Sequence, residues 1–260
     1  GTLTLTAGTL NLNNYTLTTG LFNSSNANVR TITTGTGSFT ITGNNATVWG
    51  TGNATNLTYT TVPTVNATYS GSVGTRAFST AGLSDRINLN IMAGTDIVAP
   101  ISTFNVNNYN FTGFSGTLTN VSTQIYGSLT LSTGMTVSAG ANTFTFRSTS
   151  SGNTITSNGK TMDFPVTFDG VGGTWQLQDN MTLAAGRTTT LTNGTLDLNS
   201  KTLSTAIFSS SNSNVRTIAF GTGKIAVTAL NASVWGVDVA TNLTLTGTPR
   251  VEVSGAGTSG

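Results

Sequence analysis

The chain contains two copies of one long segment. Residues 8–59 return without a gap as residues 194–245, and 31 of the first 51 aligned pairs are identical. Where the copies differ, apolar positions tend to stay apolar, as when Phe39 becomes Ile225. Long self-similarity of this kind is the signature of repetitive architectures. It predicts that one structural unit is built twice, and that the repeat conserves a shape rather than a reaction site.

The repeat divides the chain into three segments. Residues 1–68 hold the first copy, residues 69–185 form an intervening β-rich region, and residues 186–260 hold the second copy. Residues 69–125 are the least regular part and are considered as a differently folded insert. Because the first copy starts at once and the second ends close to the last residue, we expect a fragment of a longer repetitive chain. A processed protein with two related ends is the alternative.

Short alternating segments indicate the fold class. TLTLT at 2–6, SLTLS at 128–132 and TLDLN at 195–199 each place apolar side chains on one face at a period of two. Strong helix formers are scarce, whereas β-branched residues and glycine are abundant. The dipeptides at 158–159 and 193–194, both Asn-Gly, and Asp-Gly at 169–170 read as turns. The pattern predicts an all-β protein with almost no helix.

The spacing of the turn signals favours a coiled arrangement of these strands. Residues 174–193, 194–215 and 216–236 form successive units of similar length, each with two or three short strands. Coils of this length are typical of a parallel β-helix or β-solenoid, and about nine of them would fill the interval from one copy to the next. Tandem β-sandwich modules are the alternative architecture, because their strands recur at similar intervals.

A solenoid also predicts which side chains form the core. Thr9, Asn11, Thr195 and Asp197 should point outward, because side chains alternate along a strand. The residues predicted to point inward are Leu10, Leu12, Leu17, Phe22, Ile32, Phe39, Ile41 and Leu57 in the first copy, and Leu196, Leu198, Leu203, Phe208, Ile218, Ile225, Val227 and Leu243 in the second.

Composition argues against several classes of function. The chain has 10 basic and 8 acidic residues, no His and no Cys. Histidine-dependent nucleophilic catalysis and His or Cys metal sites are therefore not expected. The cations are scattered, whereas a nucleic-acid surface needs them clustered. No apolar stretch approaches the roughly 20 residues that span a bilayer. We expect no cofactor, no metal site, no nucleic-acid partner and no membrane insertion.

One local group of carboxylates suggests a catalytic hypothesis. Asp163, Asp169 and Asp179 lie close together in the sequence with Trp175, and pairs of carboxylates cleave glycosidic bonds. Aspartate is also an ordinary turn residue, and Asp197 matches Asn11 in the other copy. We therefore predict a protein without catalytic residues and keep glycan hydrolysis as an alternative.

Two residue types recur in the same frame in both copies. Arg30 and Arg216 stand in NVRTI, and Trp49 and Trp235 stand in VWG. The simpler interpretation is that each Arg caps turn carbonyls while each Trp closes the core at a corner. The other interpretation is that Trp49, Trp175 and Trp235 contact a glycan. Twelve Asn-X-Ser/Thr sequons also occur, a number that an Asn- and Thr-rich composition largely explains.

The strings NGTLDLNSKTLST, SNSNVRTIAFGTG and GGTWQLQDNMTL resemble segments of repetitive structural proteins of bacteriophages and of related bacterial surface proteins. The resemblance covers residues 1–60 and 150–250 well and the middle weakly. It implies a tail fibre or other virion appendage involved in host attachment, at the virion surface or otherwise extracellular. It further implies a homotrimer that contacts other virion or surface proteins and a host glycan. A secreted adhesin or extracellular filament subunit, and a tailspike glycan-degrading enzyme, are the alternatives.

Overall fold

The computed structural model describes residues 1–119, 121–138, 140–230 and 233–254. Within these ranges the chain forms strands and no helix, which confirms the predicted all-β class. None of the described segments is a helix long and apolar enough to cross a membrane.

The strands are β1 (Thr2–Thr4), β2 (Gly8–Asn11), β3 (Leu17–Thr19), β4 (Leu21–Asn23), β5 (Arg30–Thr33), β6 (Ser38–Ile41), β7 (Ala46–Thr51), β8 (Leu57–Tyr59), β9 (Thr64–Ala67), β10 (Thr75–Thr80), β11 (Ile87–Ile91), β12 (Ile97–Val98), β13 (Phe104–Asn110), β14 (Thr117–Leu118), β15 (Thr123–Ile125), β16 (Leu129–Thr130), β17 (Thr136–Val137), β18 (Phe144–Phe146), β19 (Asn153–Thr156), β20 (Thr161–Met162), β21 (Val166–Leu177), β22 (Met181–Leu183), β23 (Thr188–Asp197), β24 (Thr202–Thr205), β25 (Ile207–Ser209), β26 (Arg216–Ala219), β27 (Lys224–Val227), β28 (Trp235–Gly236), β29 (Leu243–Thr246) and β30 (Val251–Val253).

The strands belong to two compact units. The first unit comprises the described residues of 1–124 and 132–138, and the second comprises those of 125–131 and 139–260. In the first unit the strand orders are β1-β4-β7-β10-β12-β14-β17, β3-β6-β9-β11-β13 and β2-β5-β8. Neighbouring strands run parallel. Each sheet therefore grows by one strand per coil, as in a β-solenoid.

The second unit is wound in the same way. Its strand orders are β20-β22-β24-β27-β30, β18-β21-β23-β25-β28, β16-β19-β21 and β23-β26-β29, again with parallel neighbours. Parallel pairing confirms the predicted β-solenoid. It contradicts the tandem β-sandwich alternative, because sandwiches are built from antiparallel strands.

The length of one coil varies more than the sequence predicted. Thr2 lies opposite Leu21, whereas Ala46 lies opposite Arg76, so the second of these coils is much longer than the first. Most of the extra residues in this longer coil lie in loops between strands. Loops tolerate such insertions because they do not disturb the register of the sheets.

The two repeat copies are paired in the same register. Gly8 lies opposite Arg30 as Gly194 lies opposite Arg216. Unusual backbone angles recur as well, since Asn13 has a φ of 48° and its counterpart Asn199 also has a φ of 48°. Equal registers and equal turns are what the predicted structural likeness of the copies requires.

Three details of the sequence prediction need correction. Within residues 69–125, β10 and β11 pair in parallel with β7 and β9, so this segment continues the coils and is not a differently folded insert. The expected turns at 169–170 and 193–194 lie inside β21 and β23. These long strands bend where Gly172 and Gly194, with φ of 75° and 82°, turn the chain from one face of the solenoid to the next.

The predicted core faces are largely correct. Thirteen of the sixteen side chains predicted to point inward are buried, while Leu10, Leu17 and Leu243 are half-buried. These three lie on β2, β3 and β29, each the first or last strand of its sheet, so among the described residues a neighbouring coil covers them on one side only. The four side chains predicted to point outward are exposed or half-buried.

Candidate functional site

The tryptophans lie mainly in the core. Trp49 and Trp175 have no exposed surface. Trp49 stacks on Phe22 with ring centroids 4.5 Å apart. The glycan-contacting role predicted from the sequence is therefore wrong for Trp49 and Trp175, because neither ring reaches the surface. Trp235 stacks on Phe208 at 4.9 Å and is half-buried, so a glycan contact stays a prediction for that residue alone.

Arg30 is a fully buried cation that binds backbone carbonyls of two coils. Its Nε donates to the carbonyl oxygen of Asn28 at 2.9 Å, and its Nη2 donates to that of Thr55 at 2.6 Å. Its Nη1 also donates to the carbonyl oxygen of Ser24. The sequence-based expectation that Arg30 caps turn carbonyls is confirmed.

Arg216 makes the same kind of clamp in the second copy. It is also fully buried. Its Nη2 donates to the carbonyl oxygens of Ser210 and Val239, each at 2.9 Å, and its Nη1 donates to that of Thr241 at 3.1 Å. Each arginine therefore links the loop that precedes it to the loop of the following coil. A planar guanidinium with five donors suits this task.

The three candidate carboxylates have different partners. Asp163 pairs with Arg187 at 2.7 Å, and Asp169 accepts a hydrogen bond from Asn193 at 2.8 Å. Asp179 accepts from the backbone N–H of Ser157 at 2.8 Å. Each partner lies on an adjacent coil, so these side chains connect coils. Among the described residues, no group of three or more His, Cys, Asp or Glu side chains could hold a metal ion.

Asparagines of several sequons also connect coils. Asn14 accepts from the backbone N–H of Thr36 at 2.9 Å. Asn56 donates to the carbonyl oxygen of Ala27 at 3.0 Å, and its counterpart Asn242 makes the equivalent bond at 2.9 Å. These three side chains serve the solenoid itself. Residues 120 and 231, which begin two further sequons, lie outside the described residues.

A buried ion pair that the sequence analysis did not find lies in the first unit. Arg76 Nη2 is 2.7 Å from Asp96 Oδ1, both side chains have no exposed surface, and Nε donates to Oδ2 at 2.8 Å. The guanidinium also lies over the rings of Tyr69 and Phe114, 5.7 and 5.5 Å from their centroids. Burial raises the pKa of the nearby Tyr109 hydroxyl, and the charge of Arg76 opposes this only in part.

Asp85 is a second buried carboxylate that the sequence did not single out. Its Oδ2 accepts from Thr51 Oγ1 at 2.8 Å and from the backbone N–H of Ala81 at 2.7 Å. Its Oδ1 accepts from the N–H of Gly82 at 2.7 Å. Burial raises the pKa of Asp85 above its ordinary value although these hydrogen bonds oppose the shift. Burial and the charge of Asp85 together raise the pKa of the Tyr59 hydroxyl.

The raised pKa of Asp85 gives a prediction for the pH dependence of stability. Between the unfolded-state pKa of about 3.9 and the higher folded-state pKa, the folded protein binds more protons than the unfolded chain. The stabilisation that Asp85 gives the folded state is then complete below the unfolded-state pKa. It is lost as the pH rises through the folded-state pKa. We expect the free energy of unfolding of the wild type to fall, relative to that of Asp85→Asn, as the pH rises from 3 to 7. Urea unfolding at several pH values measures it. A difference that moves the other way would contradict the burial argument.

A groove of about 240 Å³ crosses the outer face of β4, β7 and β10. Gly50 on β7 and Gly52 just after it contribute no side chains to the groove. The groove contains hydroxyl and amide groups but no charged side chain, so it offers neutral hydrogen-bonding groups to a neutral polar ligand. The residues that line it are Asn23, Ser25, Thr47, Gly50, Gly52, Ser79 and Ile101.

Comparisons of the chain with family models, with curated proteins and with solved structures found no match.

Proposed function

We propose that this chain is a non-enzymatic structural segment of a bacteriophage tail fibre or similar virion appendage that takes part in host attachment. The observation that carries the proposal is the repeated unit itself. Both copies keep the same strand registers and the same buried arginine clamp. These shared features hold the coils together, and the polar side chains described above also link coils. We therefore infer that the repeat preserves a structural scaffold. The resemblance of its strings to repetitive phage proteins supports the same proposal.

A non-enzymatic role agrees with the use of the carboxylates. Asp163, Asp169 and Asp179 hold adjacent coils by ion pairs and hydrogen bonds. A glycosidase needs two carboxyl groups that face one scissile bond from either side, and these three bind three separate sets of partners. The tailspike glycanase therefore ranks behind the structural role. Release of reducing ends from host surface polysaccharide by the purified chain would overturn this ranking.

The second candidate is a secreted adhesin or extracellular filament subunit of a microbe. The low charge and the Thr- and Asn-rich outer faces suit either extracellular setting. In both cases the proposed partners are further copies of the chain, as a homotrimer, together with neighbouring structural proteins. The neutral groove on β4, β7 and β10 is the surface that we propose for a host glycan.

Immunogold electron microscopy separates the two candidates. Antibodies against the recombinant chain are applied to purified phage particles and to cells from the source culture. Labelling along a tail appendage is expected. Labelling confined to the cell envelope or to free filaments would instead support the adhesin, and pre-immune serum is the control.

Resistance to trypsin is a further expected property. Arg30, Arg76 and Arg216 have no exposed surface, whereas the side chain of Arg250 is 61% exposed. Cleavage requires local opening, and opening of a core coil is rare. We expect mass spectrometry to show cleavage at Arg250 first and none at the three buried arginines until urea is added. Early cleavage at Arg30 or Arg216 would contradict the clamp.

A further inference from the structure

The repeat creates an ambiguity that the folding chain must resolve. The coil made of β10 and β11 stacks on the first copy, where Phe78 lies opposite Trp49 and Ser79 lies opposite Gly50. The second copy presents the same dipeptide as Trp235 and Gly236. The apolar contacts alone would therefore let this coil stack on either copy. Misassembly between like units is a characteristic failure of repeat proteins.

The copies differ in the residues that come next. Thr51 of the first copy corresponds to Val237 of the second, Gly52 corresponds to Asp238 and Tyr59 corresponds to Leu245. All three differences lie in or near the surface that receives the coil of β10 and β11.

We propose that the buried carboxylate of Asp85 directs the coil of β10 and β11 to the first copy and excludes it from the second. On the first copy, Asp85 Oδ2 accepts a hydrogen bond from Thr51 Oγ1 at 2.8 Å. On the second copy the same oxygen would face Val237, whose side chain has no hydrogen-bond donor. A buried charged group that loses a hydrogen bond is costly, so the wrong stacking is penalised.

Gly52 adds a steric element to the same selection. A Cβ atom at Gly52 would lie 2.4 Å from Ser79 Oγ, a contact that requires the serine to move. Its φ lies outside the left-handed region, so the backbone itself does not require glycine there. The second copy carries Asp238 at this position. Its side chain would collide with Ser79 and place another negative charge on the incoming coil.

Disulfide cross-linking tests the proposal, because the chain has no cysteine of its own. The pair Ser79→Cys and Gly50→Cys reports correct stacking, and the pair Ser79→Cys and Gly236→Cys reports stacking on the wrong copy. Neighbouring parallel strands are about 4.8 Å apart, within the range that a disulfide spans. A Cβ atom at either glycine meets only ordinary contacts, the nearest at 3.5 and 3.6 Å.

The full chain is unfolded in urea, refolded and oxidised, and the disulfides are counted by mass spectrometry, within and between chains. We expect the pair at 50 and 79 to form its disulfide in higher yield than the pair at 79 and 236. Adding Val237→Thr, Asp238→Gly and Leu245→Tyr should increase the 79–236 bond at least about tenfold, as a hydrogen bond to a charged group implies. An unchanged yield of the 79–236 bond would overturn the proposal.

A second pair of variants tests the hydroxyl alone. Thr51→Val removes the donor with little change in shape, while Thr51→Ser keeps it. We expect Thr51→Val to raise the yield of the 79–236 disulfide, relative to that of the 50–79 disulfide, at least about fivefold. Thr51→Ser should leave this ratio of yields unchanged. Equal ratios in the two variants would show that apolar packing, and not Asp85, selects the copy.

Discussion

Replacing Asp96 by Ala is expected to destabilise the protein by about 3–5 kcal/mol. The variant leaves Arg76 buried without its carboxylate, since both side chains of this pair have no exposed surface. Among the described residues, only the carbonyl oxygen of Ala93, 2.8 Å from Nη2, would still accept a hydrogen bond from the guanidinium. Equilibrium unfolding in urea, followed by circular dichroism, measures the loss.

A double variant separates the buried charge from the lost packing. In Arg76→Met with Asp96→Leu, no charge is buried, and such replacements of buried ion pairs are often neutral or stabilising. We expect the double variant to be more stable than Asp96→Ala alone. If the double variant is the less stable of the two, the ion pair itself contributes more than the desolvation argument allows.

Truncating Phe208 to Ala is expected to cost about 3–5 kcal/mol. Its ring has no exposed surface and stacks on Trp235 with centroids 4.9 Å apart. Loss of the ring leaves a cavity between coils. The solenoid can close this cavity only by moving strands that are held in register on both sides, so relaxation should be limited. The same urea experiment measures the effect.

Asp197→Asn is the matched control on the outward face of the same unit. Asp197 Oδ1 accepts from the backbone N–H of Asn199 at 2.8 Å, and Asn11 in the first copy accepts from that of Asn13 at 2.9 Å. Asparagine therefore preserves this turn, and we expect a change within about 0.5 kcal/mol. A loss larger than that of Phe208→Ala would mean that the faces are assigned wrongly.

Many of the inward and outward positions could be predicted because they depend on local pattern. Alternation at a period of two placed Leu196 and Leu198 inward and Asp197 outward, and the structure agrees. The prediction that Arg30 and Arg216 cap carbonyls came from their recurrence in the same frame of both copies. The candidate site was harder to predict. Trp49 and Trp175 have the residue type of a sugar platform, but both rings are completely covered by neighbouring side chains.

The sequence by itself determined that the chain is all-β, that one unit is built twice and which face of many strands is buried. These properties follow from spacing within a few residues and from the comparison of two copies. Only the tertiary structure decided that the strands pair in parallel, that Arg76 meets Asp96 and that Asp85 meets Thr51. These partners are far apart in the sequence. Coil length sets which residues meet, and it differs from one coil to the next, so the contacts exist only once the coils are stacked.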